Sequence, residues 1–185
     1  MFKLFIISTG RTGSQAVARW LGIHHEPYRI FPTEQPKLFH KLHERLEEHK
    51  DEFYGEANSA WRYKIDELVA DQSDATFIHL VRDGRKVVSS YRNKDYYNDQ
   101  KTTVAQKLIL PVEGFEEMPR FEKLCWFWRY WNEEIEKRIP VRIRLEDIGH
   151  LFPRRNTGKP HQNWTVNEEE TFNRVCGDLM KRYGY

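Results

Sequence analysis

The segment Ser8-Thr9-Gly10-Arg11-Thr12-Gly13-Ser14 lies between a short apolar run and a stretch with helical spacing. A glycine-bearing loop that opens a helix offers backbone N–H groups and the positive end of the helix dipole, which suits a phosphate-like anion. Gly10 and Gly13 permit the tight backbone, Ser14 can donate its hydroxyl, and Arg11 supplies charge. The ATP-binding loop of ordinary kinases places Lys directly after its last glycine, then Ser or Thr for magnesium. Here Ser14 follows Gly13 directly, which disfavours that chemistry. A plain turn between strand and helix would use the same glycines without a ligand.

A second constellation is Val81-Arg82-Asp83-Gly84-Arg85-Lys86-Val87-Val88-Ser89-Ser90-Tyr91. Arg82 stands at the carboxyl end of an expected strand, and Ser90 follows eight residues later, about two helical turns on. Ligands of open α/β sheets bind at the carboxyl ends of strands. A guanidinium and a hydroxyl brought together there could hold one phosphate. An arginine at a strand end serves equally well in a surface ion pair.

These elements must be positioned by strands and helices. Phe2 to Ser8 and Ala75 to Val81 read as buried strands, with further strands expected at Phe53 to Ser59 and Val141 to Leu145. Val17, Trp20 and Leu21 fall at helical spacing after the first loop, and Leu38, Leu42 and Leu46 mark an amphipathic helix. Ile65, Leu68 and Val69 suit a short helix, Asp83 can cap the helix carrying Val87, Val88 and Tyr91, and Phe121 to Lys137 is a long aromatic helix. Trp126, Trp128, Tyr130 and Trp131 within it read as core rather than as a base-stacking face. His40 and His43 read as solvent-facing. Thr165 followed by Glu168 to Glu170 starts the last helix. Asp95 to Gln106, with Tyr96 and Tyr97, reads as a polar mobile lid or acceptor-contact loop. Alternating strands and helices predict an α/β fold, with three layers and a central parallel sheet flanked by helices.

Together the two constellations resemble the sulfotransferases that use 3′-phosphoadenosine 5′-phosphosulfate (PAPS), in the manner of a small bacterial- or phage-type member. Arg11-Thr12-Gly13-Ser14 is similar to their first motif, and Arg82 with Ser90 to their second. Arg144-Leu145-Glu146-Asp147-Ile148 resembles a stretch that follows a late strand in the family, and Asn156-Thr157-Gly158-Lys159-Pro160-His161 its late basic loop. The resemblance implies a P-loop-like fold over the whole of 1–185 as one domain. It implies in-line transfer of a sulfuryl group from PAPS to a hydroxyl or amine acceptor, a small molecule or a carbohydrate. Gly10, Arg11, Thr12, Gly13 and Ser14 would hold the 5′-phosphosulfate, with Arg11 stabilising the leaving phosphate. Arg82 and Ser90 would hold the 3′-phosphate, and Lys159 would close over the nucleotide. Thr9-Gly10, Gln15 and Ala16 depart from the family pattern, and the adenine contact is unassigned.

Sulfuryl transfer gains from a base that removes the acceptor proton. The family resemblance points to His24-His25-Glu26-Pro27, with Glu26 as first choice and His25 as second. Glu56 in Tyr54-Gly55-Glu56-Ala57-Asn58-Ser59 is third, its structural reading being the favoured one. A metal site at His24, His25 and Glu26 is disfavoured, because consecutive side chains point apart. No metal is expected, since cationic side chains and loop amides can do what magnesium does in kinases. Two other classes remain: an atypical P-loop kinase or nucleotide hydrolase, and a non-catalytic nucleotide- or nucleic-acid-binding module using Arg142, Arg144, Arg154 and Arg155.

Thirty basic and 28 acidic residues in 185 leave a formal charge of +2, which argues against a dedicated nucleic-acid arm or a polybasic membrane patch. The 14% aromatic content argues against disorder. The apolar run Leu4 to Ile7 is far shorter than a membrane span or a signal-peptide core. Cys125 and Cys176 are too few for a disulfide framework and read as reduced, buried thiols, consistent with a cytoplasmic protein.

Overall fold

A computed structural model describes residues 1–27, 36–98, 108–151 and 163–185. Lys159 and the loop 156–161, with Arg154 and Arg155, lie outside the described residues. The chain divides into two compact units, Met1–Val81 with Glu134–Phe152 and Arg82–Glu133 with Pro153–Tyr185.

The first unit is built on β1 (Lys3–Ile7), β2 (His24–His25), β3 (Tyr54–Ala57), β4 (Thr76–Val81) and β5 (Arg142–Arg144). They form one parallel sheet in the order β2-β3-β1-β4-β5. From Leu4 to Ile7, β1 is apolar without a break because both its faces are covered. Phe5 and Ile7 pack with Leu38 and Leu42 of α2 (Pro36–Glu48), Ile65 and Leu68 of α3 (Ile65–Asp71), Ile135 and Ile139. Ile6 packs on the opposite side with Val17 and Ala18 of α1 (Ser14–Leu21), against Leu145 and Ile148 of α6 (Leu145–Ile148). The expected three-layer α/β arrangement, a central parallel sheet flanked by helices, is therefore present.

The connection after β1 leads to β2 on one side of the sheet, while that after β4 leads to β5 on the other. The carboxyl ends of β1 and β4 thus flank a topological switch point, where α/β sheets open a crevice. The glycine loop begins there.

The second unit contains α4 (Gly84–Arg92), most of α5 (Arg120–Glu136) and α7 (Val166–Arg182). These helices pack closely at Gly84, where a Cβ would lie 3.0 Å from Trp128 and 3.1 Å from both Met180 and Phe172. Trp128 and Trp131 are buried, as expected for core aromatics. Arg129 forks onto Asp178 at 2.8 and 3.0 Å, and Arg85 binds Glu169 and Asn173, tying α5 and α4 to α7. Thr165 and Glu168 form a reciprocal capping box at the start of α7. Cys125 and Cys176 are buried free thiols, with Cys176 Sγ 3.5 Å from the Cys125 carbonyl.

Two readings change. Tyr96 and Tyr97, expected in a mobile lid, pack on Phe127, and the Tyr97 hydroxyl donates to the Leu108 carbonyl at 2.7 Å. Aromatic burial outweighs the polar character of their neighbours in sequence. Residues 99–106 of that segment lie outside the described residues. Leu145, expected to end a strand, instead opens α6.

Glu56 is fully buried in β3, and its two oxygens accept from the Tyr54 hydroxyl and the Trp61 indole N–H. Removing a donor from a buried carboxylate costs about 1–3 kcal/mol. Trp61→Phe should therefore lower the urea midpoint by that amount of stability while leaving the denaturant slope unchanged.

Candidate functional site

β1 runs into a loop whose polar residues are buried. Ser8, Thr9 and Thr12 are each no more than 1% exposed. Ser8 Oγ accepts from the Gly10 N–H at 3.2 Å, and the backbone is left-handed at Gly10 (φ 90°), Arg11 (φ 57°) and Gly13 (φ 86°). No side chain caps the start of α1. Among the described residues, the N–H groups of Thr12, Gly13 and Ser14 find no acceptor, and the buried Thr12 hydroxyl has no partner. Donors left open at a helix start have the chemistry to receive an anion. The Arg11 side chain is exposed beside it.

Gly13 is required on two grounds. Its φ of +86° disfavours any side chain, and a Cβ would sit 2.7 Å from Leu145 Cδ2. Arg144 forks onto Asp147 at 2.8 and 2.5 Å, spanning the first turn of α6. The Arg144-to-Ile148 stretch thus acts as a wedge beneath the loop.

β2 brings a second group to the same end of the sheet. His24 and His25 form a two-residue edge strand in register with Glu56 and Ala57. His25 Nε2 lies 3.1 Å from Ser14 Oγ, so a predicted base and a predicted anion ligand touch. The Glu26 N–H donates to the Ala57 carbonyl at 3.0 Å, and its Oε1 accepts from Ser59 Oγ at 2.8 Å. Glu26 is left-handed at φ 41°. Arg11 and Glu26 are two of the four non-glycine residues with positive φ among the described residues, and such strain collects at functional sites.

Burial holds His25 below the ordinary histidine value, with Arg19 adding to the effect and Glu26 opposing it. His24 is lowered too, by burial and by Arg45 and His49, with Glu48 opposing. His25 is therefore neutral near pH 7 and able to accept a proton. Glu56 belongs to the opposite face of the sheet, packed with Tyr54 and Trp61, and has no solvent access. Both its oxygens are occupied by these two donors.

Arg82 and Ser90 belong to the second unit and are half-buried there. Asp83 caps α4 by accepting from the Arg85 N–H at 2.9 Å, and Ser90 lies six residues into that helix, about 9 Å along its axis. A cavity of about 110 Å³ in this unit is lined by Arg92, Arg120, Phe121, Leu124 and Glu168. Its Arg120 already donates to the Tyr96 and Arg92 carbonyls at 2.8 Å, so it braces the end of α4. No cluster of metal-ligating side chains occurs among the described residues, and no described helix is long and apolar enough to cross a membrane.

No protein-family model matches the chain, and no curated protein matches it. Among solved structures, it is similar to mouse sulfotransferase SULT7A1 complexed with PAP, at a TM-score of 0.42 and 13% identity. That alignment covers 99% of this chain and 59% of the mouse chain, so the chain spans about three fifths of the mouse protein's length.

Sequence reasoning missed Ser59 and Arg19, and it missed Leu145 as the wall against Gly13. The pattern Asn58-Ser59-Ala60 was the available signal for the first: Asn58 is a helix cap, accepting from the Ala60 N–H at 3.0 Å.

Folding lowers the proton affinity of His24 and His25, so the unfolded chain binds more protons between the folded and unfolded midpoints. Stability should fall as pH drops below about 6.5 through that window, and His24→Gln should flatten the slope in a series of thermal melts. Gly13→Ala should destabilise the fold by about 1–3 kcal/mol, measured by urea unfolding, because a side chain is strained at φ +86° and its Cβ would press on Leu145 Cδ2.

Proposed function

We propose that this chain is a PAPS-dependent sulfotransferase acting on a hydroxyl or amine acceptor, a small molecule or a carbohydrate. The observation that carries the reading is the loop after β1, where buried Thr12 and three backbone N–H groups lack acceptors among the described residues. That chemistry fits an anionic phosphosulfate end. PAPS supplies the sulfuryl group that moves in line to the acceptor.

The residues then take distinct roles. Gly10, Thr12, Gly13 and Ser14 bind the 5′-phosphosulfate, and Arg11 stabilises negative charge growing on the leaving phosphate. Arg82 and Ser90 bind the 3′-phosphate, with Lys159 closing from the late loop. Glu26 or His25 receives the acceptor proton; the neutral state of His25 and its contact with Ser14 favour His25. A nucleic-acid-binding role is disfavoured because Arg142 is paired with Glu136 at 2.7 Å and Arg144 with Asp147. The two buried free thiols agree with a cytoplasmic location.

Titration calorimetry with adenosine 3′,5′-bisphosphate, against AMP and against ATP with and without magnesium, tests the reading. Magnesium-independent bisphosphate binding, weakened in Arg82→Ala, is expected. Magnesium-dependent ATP binding without bisphosphate binding would replace the reading with a kinase or nucleotide hydrolase. Arg11→Ala should lower turnover by roughly 10²–10³-fold, the usual cost of losing a donor aimed at developing charge, while bisphosphate binding persists.

A further inference from the structure

Ser14 belongs to two sets of contacts at once. It is the first residue of α1, where its N–H is open beside those of Thr12 and Gly13 among the described residues. The Thr12 hydroxyl in the same loop is fully buried and has no partner there. The Ser14 hydroxyl, on a residue only 7% exposed, lies 3.1 Å from His25 Nε2. His25 is held from the other side by β2, where it stands opposite Ala57 of β3. The contact therefore joins the start of a helix to the edge of the sheet.

A serine hydroxyl has one proton to give, and a neutral imidazole carries one proton on either of its two nitrogens. The pair has two arrangements. In one, the hydroxyl donates to a bare Nε2 and the ring proton sits on Nδ1. In the other, Nε2–H donates to the serine oxygen and Nδ1 is bare. Among the described residues Nδ1 makes no hydrogen bond, so Ser14 is the partner that decides between them. A fully ionised anion accepts hydrogen bonds and donates none. A hydroxyl that turns its proton to such an anion keeps a lone pair for the ring.

We propose that Ser14 is a positioning residue for the proton of His25, placing it according to whether an anion occupies the loop. With the loop empty, the hydroxyl donates to Nε2 and the ring holds its proton on Nδ1. With an anion bound, the hydroxyl donates to the anion, Nε2–H donates to the serine oxygen, and Nδ1 is bare. The exchange is neutral: Nδ1 gives a proton to water and Nε2 takes one from water. Burial, with Arg19 of α1 adding and Glu26 opposing, keeps the ring uncharged for it. The catalytic consequence rests on the sulfuryl-transfer reading. His25 then has a nitrogen able to take the acceptor's proton only once the phosphosulfate is seated. That proton passes to Nδ1, the acceptor atom bonds sulfur, and the S–O bond breaks with its electron pair on the leaving phosphate.

The test is long-range proton–nitrogen NMR of the imidazoles in the full, isotope-labelled chain, which reads the nitrogen that carries the proton. It is run at a pH where His25 is neutral, with His25 assigned through His25→Gln. The probes are inorganic sulfate and adenosine 3′,5′-bisphosphate, each titrated to saturation. Without a probe, His25 should carry its proton on Nδ1; saturated with either probe, it should carry it on Nε2. His24 should stay unchanged throughout. In Ser14→Ala the loop N–H groups still bind the probe, and the His25 tautomer should no longer respond to it. Ser14→Thr, which keeps the hydroxyl, should retain the response. A His25 tautomer unmoved by bound sulfate, a response that persists in Ser14→Ala, an equal change at His24, or no sulfate binding would overturn the proposal. Sulfate that binds and switches His25, without bisphosphate binding, would remove the transferase reading and leave the coupling standing. Bisphosphate binding with an unmoved His25 would do the reverse.

Discussion

The parallel pairing of β1 with β3 and β4 is the constraint on which the first unit depends. With Phe5 and Ile7 committed to one layer and Ile6 to the other, a slip of one residue would exchange the two faces of the strand. Register is therefore fixed, and so is the point at which β1 gives way to the loop. Ser8 and Thr9 are carried into the interior by that register, although both are polar. The left-handed turns at Gly10, Arg11 and Gly13 persist because the strand on one side and α1 on the other leave the chain no alternative path.

The same sheet assigns opposite fates to two carboxylates a short distance apart in space. Glu56 points into the layer with Tyr54 and Trp61, where two donors satisfy it and solvent is excluded. Glu26 lies just past the end of β2, exposed, where its carboxylate accepts from the Ser59 hydroxyl. Glu56 is thus enclosed within β3, whereas at Glu26, past the end of β2, a left-handed φ of 41° turns the chain away from strand alternation. The environment of His25 follows from the same geometry: the strand buries the ring, and the strand's end supplies the compensating charge.

Much of this was legible in the sequence, for identifiable reasons. β1 and β4 are apolar runs long enough to declare themselves, α2 shows in the spacing of Leu38, Leu42 and Leu46, and Thr165 with Glu168 marks the start of α7. β2 left no signal, being two residues long, both histidine, and held by pairing with β3 rather than by propensity. Leu145 read as strand because it continues an apolar alternation, yet its side chain is needed beneath Gly13. Tyr97 read as lid because its neighbours are polar, whereas contacts with Phe115 and Phe127, remote in sequence, bury it. In the candidate site, the loop residues stand out by type and spacing, whereas His25 is singled out only through the family resemblance. The Ser59–Glu26 bond joins residues 33 apart, and periodicity carries no record of it.

The outer strands of the sheet, β2 with two residues and β5 with three, have a further consequence. A parallel sheet ends in rows of backbone donors and acceptors that can recruit a strand from another molecule. Edges this short offer too few of them to template such a partner. The two edges, one carrying His24 and His25 and the other Arg142 and Arg144, therefore leave little backbone for an added strand to pair with.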